Sequence, residues 1–228
     1  MVAQIIIGFI GLVLIAIPFS RAKKKIQIKS IVLAIVFQIF LAFLLIEIPV
    51  INDVFFYFSL GGEKLQLATN AGTSFVFGYL SMGVGEELIF AFKILPLIIV
   101  ISSLTALLWY LNILPKIIKA ISFIFEKIFN IGGPVGLGAT ANIIMGQVEA
   151  PLLVRPYLSK MSNKELLILM TAGMSTVSGS IMIALVSMLQ IQFENINLVQ
   201  HLITASILSI PAAIMYAEIM SPSADITH

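Results

Sequence analysis

Residues 131–156 read IGGPVGLGATANIIMGQVEAPLLVRP, from Ile131 to Pro156. The stretch is apolar yet broken, and neither half is long enough to cross a bilayer, whose ~30 Å hydrocarbon core takes about 20 helical residues. Both halves are helix-like, with Gly146-Gln-Val-Glu149 between them. The pattern predicts a helical hairpin over 131–160 that enters the membrane from the cytoplasmic side and turns back inside it. Pro151 suits the first turn of the returning helix, where a missing N–H costs little. Irregular backbone at such depth is tolerated only where it is buried in protein or lines a cavity.

Composition sets the class around this stretch. Of 228 residues, 60% are hydrophobic; 13 Lys and Arg stand against 11 Asp and Glu, a net charge of +2. Charged residues make up 11%, against roughly 25% in a soluble domain, and the mean hydropathy is +1.10. A soluble globular domain and a disordered chain are excluded. The near-neutral charge carries no nucleic-acid footprint. With no cysteine, a disulfide framework, a thiolate metal site and a Cys nucleophile are excluded. No H-E-x-x-H motif occurs, and His201 and His228 pair with no candidate nucleophile, so no enzyme is predicted. The predicted fold class is an all-α integral membrane protein.

About five transmembrane helices are expected, over 2–19, 31–50, 94–111, 166–189 and 202–217, together with the re-entrant hairpin and interfacial helices. The basic residues Arg21, Lys23, Lys24 and Lys25 follow the first apolar run, whereas a signal peptide carries them ahead of it. The first run is therefore a retained span. Positive charge marks cytoplasmic loops, which places 21–29 and 112–165 inside. The N-terminus is then outside and the C-terminus cytoplasmic, in a multi-pass cell (inner) membrane protein. Four regions follow: 1–93 with the N-terminal helices and an interfacial segment, 94–130 with the third span and a cytoplasmic helix, 131–160 with the hairpin, and 161–228 with the broken fourth span, the fifth span and a short tail. Gln38 reads as an interhelical hydrogen bond.

A second break is predicted inside the fourth span, where Gly173-Met-Ser-Thr-Val-Ser-Gly-Ser180 is rich in glycine and hydroxyls. Small residues of this kind also serve plain helix packing, and a Gly-Gln turn also occurs between short surface helices. Glu149 weighs toward a site, because a carboxylate beside an apolar re-entrant tip is expensive. Two broken elements close in sequence are a pointer to a transporter binding site, where half-helix ends offer free N–H groups and carbonyls.

The segment Asn142-Ile-Ile-Met-Gly-Gln-Val-Glu-Ala-Pro151 resembles the first hairpin of concentrative nucleoside transporters, usually A-N-I-F-V-G-Q-T-E-A-P-L. Met170–Ser180, His201–Ala213, Gly72–Gly78 and Phe90–Pro96 fit the same family, so the resemblance covers essentially the whole chain. Family members are roughly twice as long, and their second-half motifs, N-E-F-V-A and N-x-S-S, are absent here. The resemblance implies nucleoside import driven by a sodium or proton gradient. It also implies a trimer with a mobile transport domain, and a second-half transporter chain as partner beside the nucleoside and the lipid bilayer. The alternatives are an inactive truncated fragment and a membrane module that senses nucleosides without transporting them.

Carried over residue by residue, the resemblance puts Gly146, Gln147, Val148, Glu149 and Ile181 at the substrate. Asn142, Met145 (by its carbonyl), Thr176 and Val177 (by its carbonyl) fall at the sodium site of sodium-coupled members. No other cofactor is implied. Gln147 offers both donor and acceptor to a base edge, and Glu149 accepts hydrogen bonds. Val148 stands where the family has Thr, Val135 where an acid is common, and Thr176 where Ser is frequent.

Overall fold

The computed structural model describes residues 2–81, 90–147, 149–189 and 197–222, and these are helical throughout apart from turns and connections. Val148 lies outside the described residues, as do most of the predicted 190–201 connection and most of the tail. The helices are α1 (Val2–Ala16), α2 (Ile28–Glu47), α3 (Pro49–Phe77), α4 (Phe90–Tyr110), α5 (Ile113–Phe129), α6 (Gly133–Ala141), α7 (Glu149–Leu153), α8 (Arg155–Leu158), α9 (Asn163–Ser175), α10 (Gly179–Leu189) and α11 (Leu198–Met220). By length and composition, Ile28–Glu47, Asn163–Val186 and Leu198–Met220 are long and apolar enough to cross a membrane. A fourth span arises if Ile94–Tyr110 and Ile113–Phe129 count together.

Two boundaries differ from expectation for local reasons. Pro49 opens α3, ending the second apolar run at Glu47, because the residue before a proline is pushed out of the helical region. The fifth helix runs from Leu198 to Met220 with Pro211 inside it, longer than the apolar run, because Glu218 is accommodated within it. Residues 49–77, read as part of an interfacial segment, form one helix of 29 residues. It ends at Gly78, whose φ of +56° suits a residue without a β-carbon. Asn112 and Asn130 take φ of +57° and +50° and close α4 and α5; asparagine is among the few side chains that tolerate this region.

The chain divides into two compact units. The first comprises 1–42, 118–176 and 206–228. Its core packs Phe125, Ile131, Val135, Val154, Ile168 and Ile210, all buried. Phe37 of α2 meets Phe125 and Phe129 edge-on at 6.0 and 5.5 Å. Lipid is as apolar as this interior, so close packing and interhelical hydrogen bonds hold the helices together rather than exclusion of water. Gln38 bears this out: its Nε2 donates to the Leu208 carbonyl at 3.0 Å. Leu208 lies one turn before Pro211, which has no N–H and disturbs the ladder there. The Arg21 N–H donates to the Met220 carbonyl at 2.9 Å and so caps α11. Lys164 of α9 pairs with Glu218 of α11. At the start of α9, Ser162 and Glu165 cap each other reciprocally.

The second unit comprises 43–117 and 177–205. Within it α4 packs against both α3 and α10. Thr69 and Thr73 return their hydroxyls to the Leu65 and Thr69 carbonyls of α3 at 2.8 and 2.7 Å, which lets polar residues sit on a buried face without unmet donors.

Candidate functional site

The predicted hairpin is built from α6, a tip, and the returning pair α7 and α8; α6 packs against both α7 and α9. Intrinsic propensity alone would not make Gly-Pro-Val-Gly-Leu-Gly-Ala-Thr-Ala a helix, since glycine costs about 1 kcal/mol per position. Pro134 presets the first turn, and the glycines allow contacts that a side chain would block. A β-carbon on Gly138 would lie 2.5 Å from Leu169 Cδ1 of α9 and 3.3 Å from Val154 Cγ2. A β-carbon on Gly136 would lie 2.6 Å from Glu126 Cγ and 2.9 Å from Ser122 Oγ of α5. Ser122 in turn hydrogen-bonds the Glu126 carboxylate. The Glu126 side chain thus lies along the opening turn of α6, a helix with no side-chain cap and no acid in its first turn, where negative charge is favourable.

At the far end of α6, Asn142 occupies the C-cap and is fully buried. Its Nδ2 donates to the Gly138 carbonyl at 3.0 Å, while its Oδ1 is buried with no hydrogen-bond partner among the described residues. Ile144 and Met145 continue the winding through the Ala141 carbonyl. Gly146 then reverses the chain. Its carbonyl accepts from the Glu149 and Ala150 N–H groups, both at 3.0 Å, and its N–H points at Glu149 Oε2 at 3.4 Å. Glu149 thus turns its carboxylate back toward the Gly146 N–H, as the acidic half of a capping box does, with no reciprocal side chain on Gly146. Gln147 and Glu149 are exposed. Pro151 falls in the first turn of α7, as expected.

The second predicted break is present. α9 ends at Ser175, Thr176 turns extended, and α10 begins at Gly179. Ser175 and Thr176 both return their hydroxyls to the Ala172 carbonyl, at 3.3 and 2.9 Å. Thr176 Oγ1 spends its one proton there and keeps its lone pairs free. Ser178 Oγ accepts weakly from the Ile181 N–H at 3.5 Å, opening α10. The first unit carries Asn142, Met145, Gly146, Gln147, Glu149 and Thr176; Val177 and the half-exposed Ile181 belong to the second. Gly173 was read only as part of a small-residue run, yet it meets both Asn142 and Gln147. Its place in the last turn of α9, just before a break, is the available signal.

Residues 7–80 match the family described as Na+ dependent nucleoside transporter N-terminus, and 91–192 match a family described as nucleoside recognition. The chain belongs to the concentrative nucleoside transporter family. Nucleoside permease NupC of Helicobacter pylori is 33% identical over 95% of this chain and 51% of its own length. The putative nucleoside permease NupX of Escherichia coli is 29% identical over 98% of the chain and 54% of its own length. The structure of CNTnw in an inward-facing substrate-bound state aligns with all of this chain and 55% of its own, with a TM-score of 0.84 and 30% identity. The chain thus spans about half the length of these relatives. Membership makes it an all-helical membrane protein of a transporter family, and sodium serves as coupling ion in some members.

Proposed function

We propose that this chain supplies one half of a cation-coupled nucleoside importer, the other half coming from further polypeptide, covalently continuous or separate. The observation that carries the proposal is the Asn142 Oδ1 atom. A buried amide oxygen without a donor costs free energy unless something else satisfies it, and an oxygen facing a hard cation is satisfied. Within the first unit, Asn142 Oδ1, the Thr176 hydroxyl and the Met145 carbonyl are hard oxygen donors of the kind sodium takes; the resemblance adds the Val177 carbonyl. A bound sodium would supply positive charge that holds the hairpin tip against the broken span. Gln147 then pairs with a base edge and Glu149 accepts hydrogen bonds directly or through water; the resemblance adds Gly146, Val148 and Ile181 to the residues at the substrate.

The hairpin is taken as re-entrant, with α1, α2, α4, the α9–α10 pair and α11 as five spans. An N-terminus outside and a C-terminus in the cytoplasm are supported by contacts in the first unit. The Arg21 amide meets the end of α11, and Lys164 at the start of α9 pairs with Glu218 near that same end. Three segments read as cytoplasmic thus gather at one end. Trimeric assembly and movement of a transport domain belong to the same proposal, by resemblance to the family.

The test is uptake of radiolabelled uridine and adenosine in a host without its own nucleoside transporters. The chain is expressed alone and together with a second-half chain, with Glu149→Gln as comparison. Gradient-dependent uptake with both parts, reduced in the variant, is expected. Membrane-inserted protein with no uptake in either arrangement overturns the proposal in favour of a module without transport.

A further inference from the structure

α9 meets the hairpin tip at Gly173, which is buried. A β-carbon built there would lie 3.3 Å from Gln147 Cβ, 3.4 Å from Asn142 Oδ1 and 3.6 Å from Gln147 Cα. A side chain at position 173 would therefore meet two residues at once, the one assigned to the base edge and the one assigned to the cation. Gly173 lies in the last turn of α9, where glycine costs less than in a helix interior, and what marks it is the close approach itself. The glycines at 8, 11, 61, 62 and 72 have nothing within 4 Å of the same built atom, which sets Gly173 and the α6 glycines apart from them. The tight contact at Gly173 is with the Gln147 β-carbon, which is fixed to the backbone and cannot swing aside as the end of a long side chain can, while the Gln147 α-carbon and Asn142 Oδ1 stand at ordinary contact distance.

We propose that Gly173 is a positioning residue that sets Gln147 and Asn142 together against α9, so that substrate affinity and cation affinity are adjusted by one contact. Resting on the transport reading above, this adds a residue with no ligand contact of its own. A methyl at 173 pushes the tip by a few tenths of an ångström. Misplacement by 1 Å costs a positioned site about 100-fold, so a shift of that size is worth about three- to tenfold. Because both residues ride on the same backbone, the nucleoside KM and the half-saturating sodium concentration rise together.

The experiment has two arms. The chain has no native cysteine, so a Gly173→Cys/Gln147→Cys pair is unambiguous. Disulfides span about 3.5–4.5 Å between β-carbons, close to the separation here. Oxidation of the full chain in native membranes, followed by denaturation, is expected to remove both thiols from maleimide labelling, whereas each single variant stays labelled. Persistent labelling of the pair overturns the contact and the proposal with it. In the second arm, uptake kinetics are measured on the chain with its second half, normalised to surface protein. Gly173→Ala is expected to raise both constants about threefold or more, with Vmax little changed, and Gly11→Ala to leave both unchanged. A Gly173→Ala protein with unaltered constants, or with only one moved, overturns the coupling while leaving transport standing. No uptake by the unsubstituted pair overturns the transport reading itself, and the coupling falls with it.

Discussion

Replacing Glu218 by Gln leaves the Lys164 ammonium facing a neutral amide in a setting that exposes little of either side chain, 16% for Lys164 and 7% for Glu218. Lys164 is the second residue of α9 and Glu218 the third from the end of α11. Each charge therefore sits at the unfavourable end of its own helix dipole, a cation at an N-terminus and an anion at a C-terminus, at about 0.5 kcal/mol apiece. Neither helix gains from carrying its charge, so the pair is justified only by the contact between the helices. Removing one partner of a buried pair costs about 3 kcal/mol, and relief of one misplaced dipole charge returns about 0.5. A loss of about 2.5 kcal/mol remains, which at ~2–4 °C per kcal/mol for a chain of this size lowers the unfolding midpoint by about 5–10 °C. Lys164→Met alone is expected to cost a similar amount. The double variant Lys164→Met/Glu218→Leu strands no charge and relieves both dipole clashes, so it is expected within about 1 kcal/mol of the parent. The assay is the fraction of detergent-solubilised protein remaining monodisperse in size-exclusion chromatography after heating. Single variants that shift the midpoint by less than about 2 °C, or a double variant as unstable as the two singles summed, would refute the reasoning.

Other outcomes follow from the packing. Gln38→Leu removes the hydrogen bond to the Leu208 carbonyl but also removes a buried Oε1 that has no partner among the described residues; the two effects oppose, and the stability read from the thermal midpoint should change by less than the ~1 kcal/mol of an ordinary hydrogen bond. Glu165→Ala should destabilise α9 by about 1 kcal/mol, read as a lower thermal midpoint, since it uncaps the Ser162 N–H that Glu165 Oε2 accepts at 2.9 Å. Gly138→Leu should abolish folding into the membrane, measured by surface yield, whereas Gly8→Leu, with open space around it, should be tolerated.

The membrane class, the course of the apolar runs and both breaks were legible in the amino-acid sequence. Each depends on local quantities: the run of apolar side chains that lipid demands, the count of basic residues in a loop, and the glycine, proline and hydroxyl residues that interrupt a helix. The interhelical role of Gln38 was legible for the same reason, since an amide within an apolar run must find a partner. Tertiary structure decided the rest. The length of α11 depends on Lys164, 54 positions earlier in the chain, because a carboxylate near a helix C-terminus is acceptable only where a cation from another helix meets it. The part of Gly173 depends on what lies across from it, and a glycine carries no side chain by which sequence alone could announce a neighbour. Glu126 likewise reads as one acid on an amphipathic helix until Gly133 and Gly136 fold over it. A glycine's meaning lies in the atoms that approach it, and only the folded chain brings those atoms close.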